Sequence, residues 1–182
     1  MAMNRLMLPN ALASSLSPVP PVRLYGAVNQ DSCVAFADQL LAADPVALET
    51  GFPICAHIQS LGGDLMPVFH VLDVIDGLSA PVWTYIDGYA ASAATLISVY
   101  GEKRFMSRRS RILIHELRTS LEGPYTRVLT DAAHAQQLME MMYEVYSTHS
   151  NMGEEKLRAL LKRDVWLNAD DALTVGLVDV IT

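Results

Sequence analysis

The chain has 182 residues and a formal net charge of −7, with 51% hydrophobic and 18% charged residues. This length suits one globular domain that is large enough to bury a core. The acidic balance argues against general binding of nucleic acid, and no apolar run reaches the roughly 18 residues that a membrane span needs.

The two cysteines, Cys33 and Cys55, lie far apart in the chain, without a Cys-x-x-Cys pair or a histidine at ligand spacing. Neither a disulfide framework nor a metal site is therefore expected. Unpaired cysteines fit a reducing compartment, the cytoplasm or its equivalent.

The N-terminal stretch is predicted to lie outside the folded domain. Ser14–Pro21 is a linker rich in serine and proline, which cannot join the interior of a sheet. We therefore expect residues 1–21 to form a flexible arm or pro-segment, and residues 22–182 to form a single domain.

Segments with the patterns of strands and helices alternate through that domain. In chain order, the predicted elements are strand Val22–Tyr25, helix Asp31–Ala43, a connection Pro45–Pro53, strand Ile54–Ile58, helix Asp64–Leu78, strand Val82–Ile86, a helix from Ser92, strands Lys103–Met106 and Arg111–Ile114, helices Tyr125–Ser150 and Asn151–Lys162, strand Asp164–Leu167, a short helix capped by Asn168, and strand Leu177–Ile181. This alternation predicts βαβ crossovers and a mostly parallel sheet, an α/β fold.

The segment Asp87–Thr95 has the pattern of a glycine turn that leads from a strand into a helix, with Ser92 in the first helical turn. A serine at this position can project its hydroxyl past the edge of the sheet, close to free helical N–H groups. The alternative is a serine that only caps or packs a buried helix among alanines.

A nucleophilic serine needs a base, and a carboxylate that orients the base. Among five histidines, His115 is distinctive because it ends the apolar strand Arg111–Ile114, and functional groups in α/β sheets gather at strand ends. Asp164 is the best candidate for the carboxylate, since Asp170 and Asp171 have the pattern of helix caps. Spacing alone leaves this triad undecided.

Gly62 and Gly63 follow the strand Ile54–Ile58. Adjacent glycines let the backbone approach a ligand closely and offer N–H donors. The N–H groups of Gly63 and Ala93 could therefore form an oxyanion hole. The alternative is a phosphate-binding loop, but the Gly-Lys-Ser/Thr that such a loop requires does not follow.

From about Val22 onwards the chain resembles ClpP, the family of proteolytic subunits of the Clp protease. The motifs that carry the resemblance are Arg23-Leu-Tyr-Gly26, Ile58-Gln-Ser-Leu-Gly-Gly63, Gly88-Tyr-Ala-Ala-Ser92-Ala, Ser110-Arg-Ile-Leu-Ile-His115, Arg163-Asp164 and Gly176-Leu-Val-Asp179. The resemblance implies the ClpP/crotonase fold. It also implies Ser92 as the nucleophile, His115 as general base and acid, Asp164 as the group that orients it, and Gly63 and Ala93 as oxyanion donors.

The same resemblance implies two stacked seven-membered rings of this or other ClpP-like subunits, with the helix Tyr125–Ser150 as the handle between rings. The substrates would be unfolded polypeptides, delivered by a separate AAA+ Clp unfoldase. That unfoldase would use the ATP, and the chain itself would need no cofactor.

Two further functions remain open. A subunit with little activity of its own, working in a mixed ring with another ClpP, is favoured by the altered loop His115-Glu116-Leu117 and by the adjacent cations Lys162 and Arg163. A crotonase-type acyl-CoA enzyme on a related fold is the less favoured alternative, because such enzymes do not need this set of serine, histidine and aspartate.

Overall fold

The computed structural model describes residues 17–182, so most of the predicted N-terminal arm lies outside the described residues. The strands are β1 (Val22–Tyr25), β2 (Ile54–Ser60), β3 (Val82–Ala91), β4 (Lys103–Met106), β5 (Arg111–Leu113) and β6 (Val180–Ile181). The helices are α1 (Gln30–Thr50), α2 (Met66–Gly77), α3 (Ala93–Val99), α4 (Tyr125–Thr148), α5 (Glu154–Leu161) and α6 (Ala169–Thr174). Helices and strands alternate through the first half of this order, as predicted.

Every pairing between these strands is parallel. The sheet order is β1-β2-β3-β4-β6, and β5 pairs with the second half of β3. The two central strands, β2 and β3, are mostly buried, which explains why their sequences are apolar along most of their length. The predicted α/β fold with a parallel sheet is confirmed.

Strand β3 runs five residues further than the predicted end at Ile86. Gly88 lies within it at a φ of 84°, and its N–H donates to the hydroxyl of Ser110 at 2.9 Å. Before Gly88, β3 pairs with β4, and after Gly88 it pairs with β5. The glycine therefore lets one strand change partners and continue to Ser92, where a simple turn was predicted.

The predicted connection Pro45–Pro53 is wrong, because α1 continues through Pro45 to Thr50. Proline removes one helical N–H, whose acceptor would be the carbonyl of Leu41. Leu41 and Pro45 both lie on the exposed side of the helix, where water can replace that bond. The helix ends where Gly51 adopts a left-handed conformation with a φ of 70°.

Two predictions in the C-terminal third are corrected. The helix predicted for Asn151–Lys162 spans only Glu154–Leu161 (α5), and the N–H of Asn151 donates to the carbonyl of Val175. The predicted strand Asp164–Leu167 is reduced to one antiparallel bridge at Leu167. By contrast, the side chain of Asn168 does cap α6, as predicted.

Arg104 on β4 ties the C-terminal segment to the sheet. Its guanidinium pairs with the carboxylate of Asp179 at 2.5 Å and donates to the carbonyls of His149 and Gly176. Partial burial would raise the pKa of Asp179, but hydrogen bonds from Arg104 outweigh this effect and lower it.

A second polar cluster, in which His57 is buried and Asp87 is half-buried, joins β1, β2 and β3. The carboxylate of Asp87 accepts hydrogen bonds from the Tyr25 hydroxyl and from the His57 ring, each at 2.8 Å. Burial would raise the pKa of Asp87, but these bonds outweigh the burial and hold the pKa below its usual value. The cluster therefore favours the ionised carboxylate in the folded state.

We predict that Asp87→Asn lowers the free energy of unfolding by about 1–2 kcal/mol at neutral pH, because bonds to a charged acceptor are lost. A carboxyl whose pKa is lowered in the folded state stabilises the protein above its unfolded pKa. The difference from wild type should therefore shrink as the pH falls below 3.8, through the lowered pKa. Urea unfolding at successive pH values measures this difference.

The matched control is Asp38→Asn, on the exposed side of α1. It should change stability little at any pH. A loss of stability in Asp87→Asn that stays constant down to the acid limit would contradict the assignment of an ionised, stabilising carboxylate.

Candidate active site

Ser92 lies between the end of β3 and the start of α3 in an unusual backbone conformation. Its φ is 55° and its ψ is −133°, and among residues 17–182 it is the only non-glycine residue with a positive φ. Such a conformation costs on the order of 1–3 kcal/mol and persists only where the surroundings enforce it. A strained serine at a strand-to-helix turn is also the geometry that exposes a nucleophilic hydroxyl.

The glycine pair after β2 packs against this turn. A Cβ added to Gly62 would lie 2.6 Å from the Cβ of Ser92 and 2.7 Å from the carbonyl oxygen of Ala91. A Cβ added to Gly63 would lie 2.1 Å from the carbonyl oxygen of Val28. Both positions therefore require glycine, because the backbone here packs closely against other segments of the chain.

A hydrogen-bonded chain holds the backbone of Ser92 from the other side. The Thr95 hydroxyl lies 2.6 Å from the carbonyl of Ser92 and 2.6 Å from the Tyr146 hydroxyl. Since a carbonyl only accepts, Thr95 donates to Ser92 and Tyr146 donates to Thr95. Tyr146 is fully buried in α4, so this helix stabilises the turn that carries the serine.

The predicted residues meet at one cavity of about 390 Å³. Gly63, Ser92, Ala93 and His115 all line it, together with Arg118. Neither Gly63 nor Ala93 uses its N–H in the turn and loop hydrogen bonds of residues 17–182. Two backbone donors, a serine hydroxyl and an imidazole therefore surround the same space.

His115 is half-buried at the end of β5. Its Nδ1 lies 2.6 Å from the backbone carbonyl of Glu116. Because a carbonyl cannot donate, Nδ1 carries the proton, and Nε2 of the neutral ring is an acceptor. This is the tautomer that a general base for serine needs. No hydrogen bond between His115 and Ser92 is present within residues 17–182.

Asp164 has a different partner from the one that the sequence predicts. Its carboxylate forms an ion pair with the guanidinium of Arg118, and both side chains are largely exposed. Within residues 17–182 it makes no hydrogen bond to His115. The structure thus brings four of the five predicted site residues to the cavity and pairs the fifth with another residue of its lining.

Sequence reasoning missed Arg118 and the pair formed by Thr95 and Tyr146. In the sequence, the only indication that Arg118 belongs to the site was its position three residues after His115. The sequence predicts that Tyr146 lies on the apolar side of a long helix, but it does not show that the tyrosine hydroxyl bonds to Thr95.

Within residues 17–182, no group of three or more His, Cys, Asp or Glu side chains is arranged to hold a metal ion. No helix in this part of the chain is both long and apolar enough to cross a membrane.

A parallel α/β sheet with a strained serine after a central strand, beside a glycine pair, defines a protein of the ClpP/crotonase fold class. Comparison with known proteins narrows this class. The family model of the Clp protease matches residues 9–182. The chain therefore belongs to the Clp protease family of proteolytic subunits, ClpP.

Relatives in two bacterial groups agree with this assignment. The chain is 29% identical to the ATP-dependent Clp protease proteolytic subunit 2 of Treponema denticola, over 94% of this chain and 86% of the relative. It is 34% identical to the ATP-dependent Clp protease proteolytic subunit 1 of Chlamydia abortus, over 72% of this chain and 70% of the relative.

We predict that Ser92→Gly is more stable than Ser92→Ala by about 1 kcal/mol, because glycine tolerates a positive φ and alanine does not. Urea unfolding of both variants at one protein concentration measures the difference. The control is the same pair of substitutions at Ser79, which is exposed and has no positive φ. There the glycine variant should be no more stable than the alanine variant. The same order at both positions would mean that Ser92 is not strained.

Proposed function

We propose that the chain is a serine endopeptidase subunit of a compartmentalised, ATP-dependent protease. The observation that carries the proposal is the strained Ser92 at a cavity that it shares with His115. Family membership supports the same chemistry, and the names of the relatives include proteolytic subunits of ATP-dependent proteases.

In the proposed mechanism, the Oγ of Ser92 attacks the carbonyl carbon of the scissile peptide bond while Nε2 of His115 accepts the hydroxyl proton. The bond of Nδ1 to the Glu116 carbonyl supports this role, since it leaves Nε2 unprotonated. His115 then donates the proton to the leaving amine, and a water molecule, activated by the same histidine, hydrolyses the acyl-enzyme.

The proposed oxyanion hole consists of the N–H groups of Gly63 and Ala93. Both residues line the cavity beside Ser92, and their N–H groups are free of the turn and loop hydrogen bonds described above. Donors that are already fixed in position stabilise the negative oxygen of a tetrahedral intermediate without reorganising. Asp164 is the proposed third member of the triad, in an arrangement where its carboxylate accepts from Nδ1 of His115.

We further propose that the chain works in two stacked heptameric rings of this or other ClpP-like subunits. Unfolded polypeptides would reach the enclosed sites from an AAA+ Clp unfoldase, in the cytoplasm or an equivalent reducing compartment. Exposed apolar side chains on the long helix α4, including Tyr125 (78% exposed) and Leu129 (53%), support subunit contacts along this handle.

A second candidate function is a weakly active or regulatory subunit in a mixed ring with another ClpP. The specific observation in its favour is the ion pair between Asp164 and Arg118, which leaves the imidazole without its carboxylate. In this case the full triad would form only beside a different subunit.

A fluorophosphonate probe tests the proposal, because it reacts covalently with activated serines. Purified protein should be labelled at Ser92, located by mass spectrometry, and Ser92→Ala should not be labelled. Ser120→Ala, in the exposed loop after β5, should be labelled like wild type.

Labelling that requires an added second ClpP subunit would favour the mixed-ring function. Labelling that persists in Ser92→Ala, or its absence from wild type under both conditions, would contradict the assignment of Ser92 as the nucleophile.

A further inference from the structure

The ion pair between Arg118 and Asp164 adjoins the cavity, because Arg118 is part of its lining. Arg118 follows His115 by three residues and lines the same cavity as Ser92. Its guanidinium bonds to one carboxylate oxygen of Asp164, and the two side chains are 69% and 57% exposed. An ion pair as exposed as this one contributes little to stability and is sensitive to salt.

The backbone nevertheless ties the segment of Asp164 to the segment of His115. Ile112 and Leu167 form an antiparallel bridge and exchange both N–H···O bonds, at 3.1 and 2.8 Å. His115 lies three residues after Ile112, and Asp164 lies three residues before Leu167. The chain after Ile112 and the chain before Leu167 leave this bridge in the same direction, as in any antiparallel pair.

A second contact closes the segment that contains both residues. The N–H of Glu116 donates to the carbonyl of Leu161 at 2.8 Å. His115 and Asp164 therefore lie between two points at which their segments are hydrogen-bonded to each other. The backbones of the two segments are thus held together on both sides of these residues.

Each side chain is nevertheless engaged elsewhere. The Nδ1–H of His115 donates to the carbonyl of Glu116, while the carboxylate of Asp164 pairs with Arg118. A neutral carbonyl fixes the tautomer of the ring, but a carboxylate also stabilises the imidazolium that forms when serine is deprotonated. The two arrangements should therefore differ in the reactivity of Ser92.

From this geometry we infer that Arg118 is a positioning residue which controls the acceptor of the His115 Nδ1–H. While Arg118 holds the carboxylate of Asp164, the Glu116 carbonyl orients the ring and the serine is only partly activated. When the ion pair opens, the carboxylate turns to His115 and completes the triad. This inference rests on the proposed function, since it assumes that His115 activates Ser92.

The test is the rate of fluorophosphonate labelling at Ser92 in four proteins: wild type, Arg118→Gln, Asp164→Asn and the double variant. Arg118→Gln should be labelled about two- to fivefold faster than wild type, the factor that corresponds to an exposed ion pair. In the Asp164→Asn background the same substitution should have no effect, because no carboxylate remains to be released. A merely structural role of Arg118 would not depend on Asp164 in this way.

Two further variants and one condition serve as controls. Arg118→Lys keeps the cation and should react at about the wild-type rate. Arg108→Gln removes a comparable exposed ion pair, with Asp170, and should leave the rate unchanged. Added sodium chloride should speed the labelling of wild type towards the rate of Arg118→Gln, and should affect that variant less.

The outcomes separate this inference from the proposed function. If Ser92 of wild type is labelled but Arg118→Gln is no faster, the inference is wrong and the proposed function stands. It is equally wrong if Arg118→Gln is faster to the same extent in the Asp164→Asn background. If Ser92 is labelled in none of these proteins, with or without an added second ClpP subunit, the proposed function fails, and the inference fails with it.

Discussion

The candidate site depends on the contact between two backbone segments, the glycine pair after β2 and the turn at Ser92 after β3. The carboxyl ends of neighbouring strands lie at the same edge of a parallel sheet. Because β2 and β3 are neighbours, the segments that follow them are adjacent. Gly62 leaves no room for a side chain there, and its backbone packs directly against the Cβ of Ser92. The strained conformation of the serine is enforced by this packing and by the hydrogen bond from Thr95, whose hydroxyl accepts in turn from Tyr146 of α4.

Several parts of the fold stabilise this contact. The Ser92 N–H donates to the carbonyl of Leu113, which ties the turn to β5 and hence to the segment that carries His115. Tyr146 acts through Thr95 on the Ser92 carbonyl, which connects the turn to α4. The backbone of the serine is thus held by β5 and, through Thr95, by α4, whereas the side chains of the ion pair between Arg118 and Asp164 are both largely exposed.

Much of the fold and part of the site could be predicted from the sequence. Apolar strands alternating with helices predict a parallel sheet, and Gly63, Ser92 and His115 were recognisable because they follow such strands. The path of α1 through Pro45 was not predictable, since it depends on which side of the helix faces water. The partner of Asp164 was not predictable either, because sequence spacing does not show whether its carboxylate bonds to the imidazole of His115 or to the guanidinium of Arg118.

The most direct test of the account is a crystal structure of the protein treated with a peptide boronic acid, which imitates a tetrahedral intermediate once a serine attacks the boron. We expect a covalent bond from the Oγ of Ser92 to the boron, with one boronate oxygen at about 2.7–3.1 Å from the N–H nitrogens of Gly63 and Ala93. An unmodified Ser92 in a crystal whose cavity contains the boronic acid would contradict the account. A covalent adduct whose oxygens point away from both N–H groups would contradict the proposed oxyanion hole.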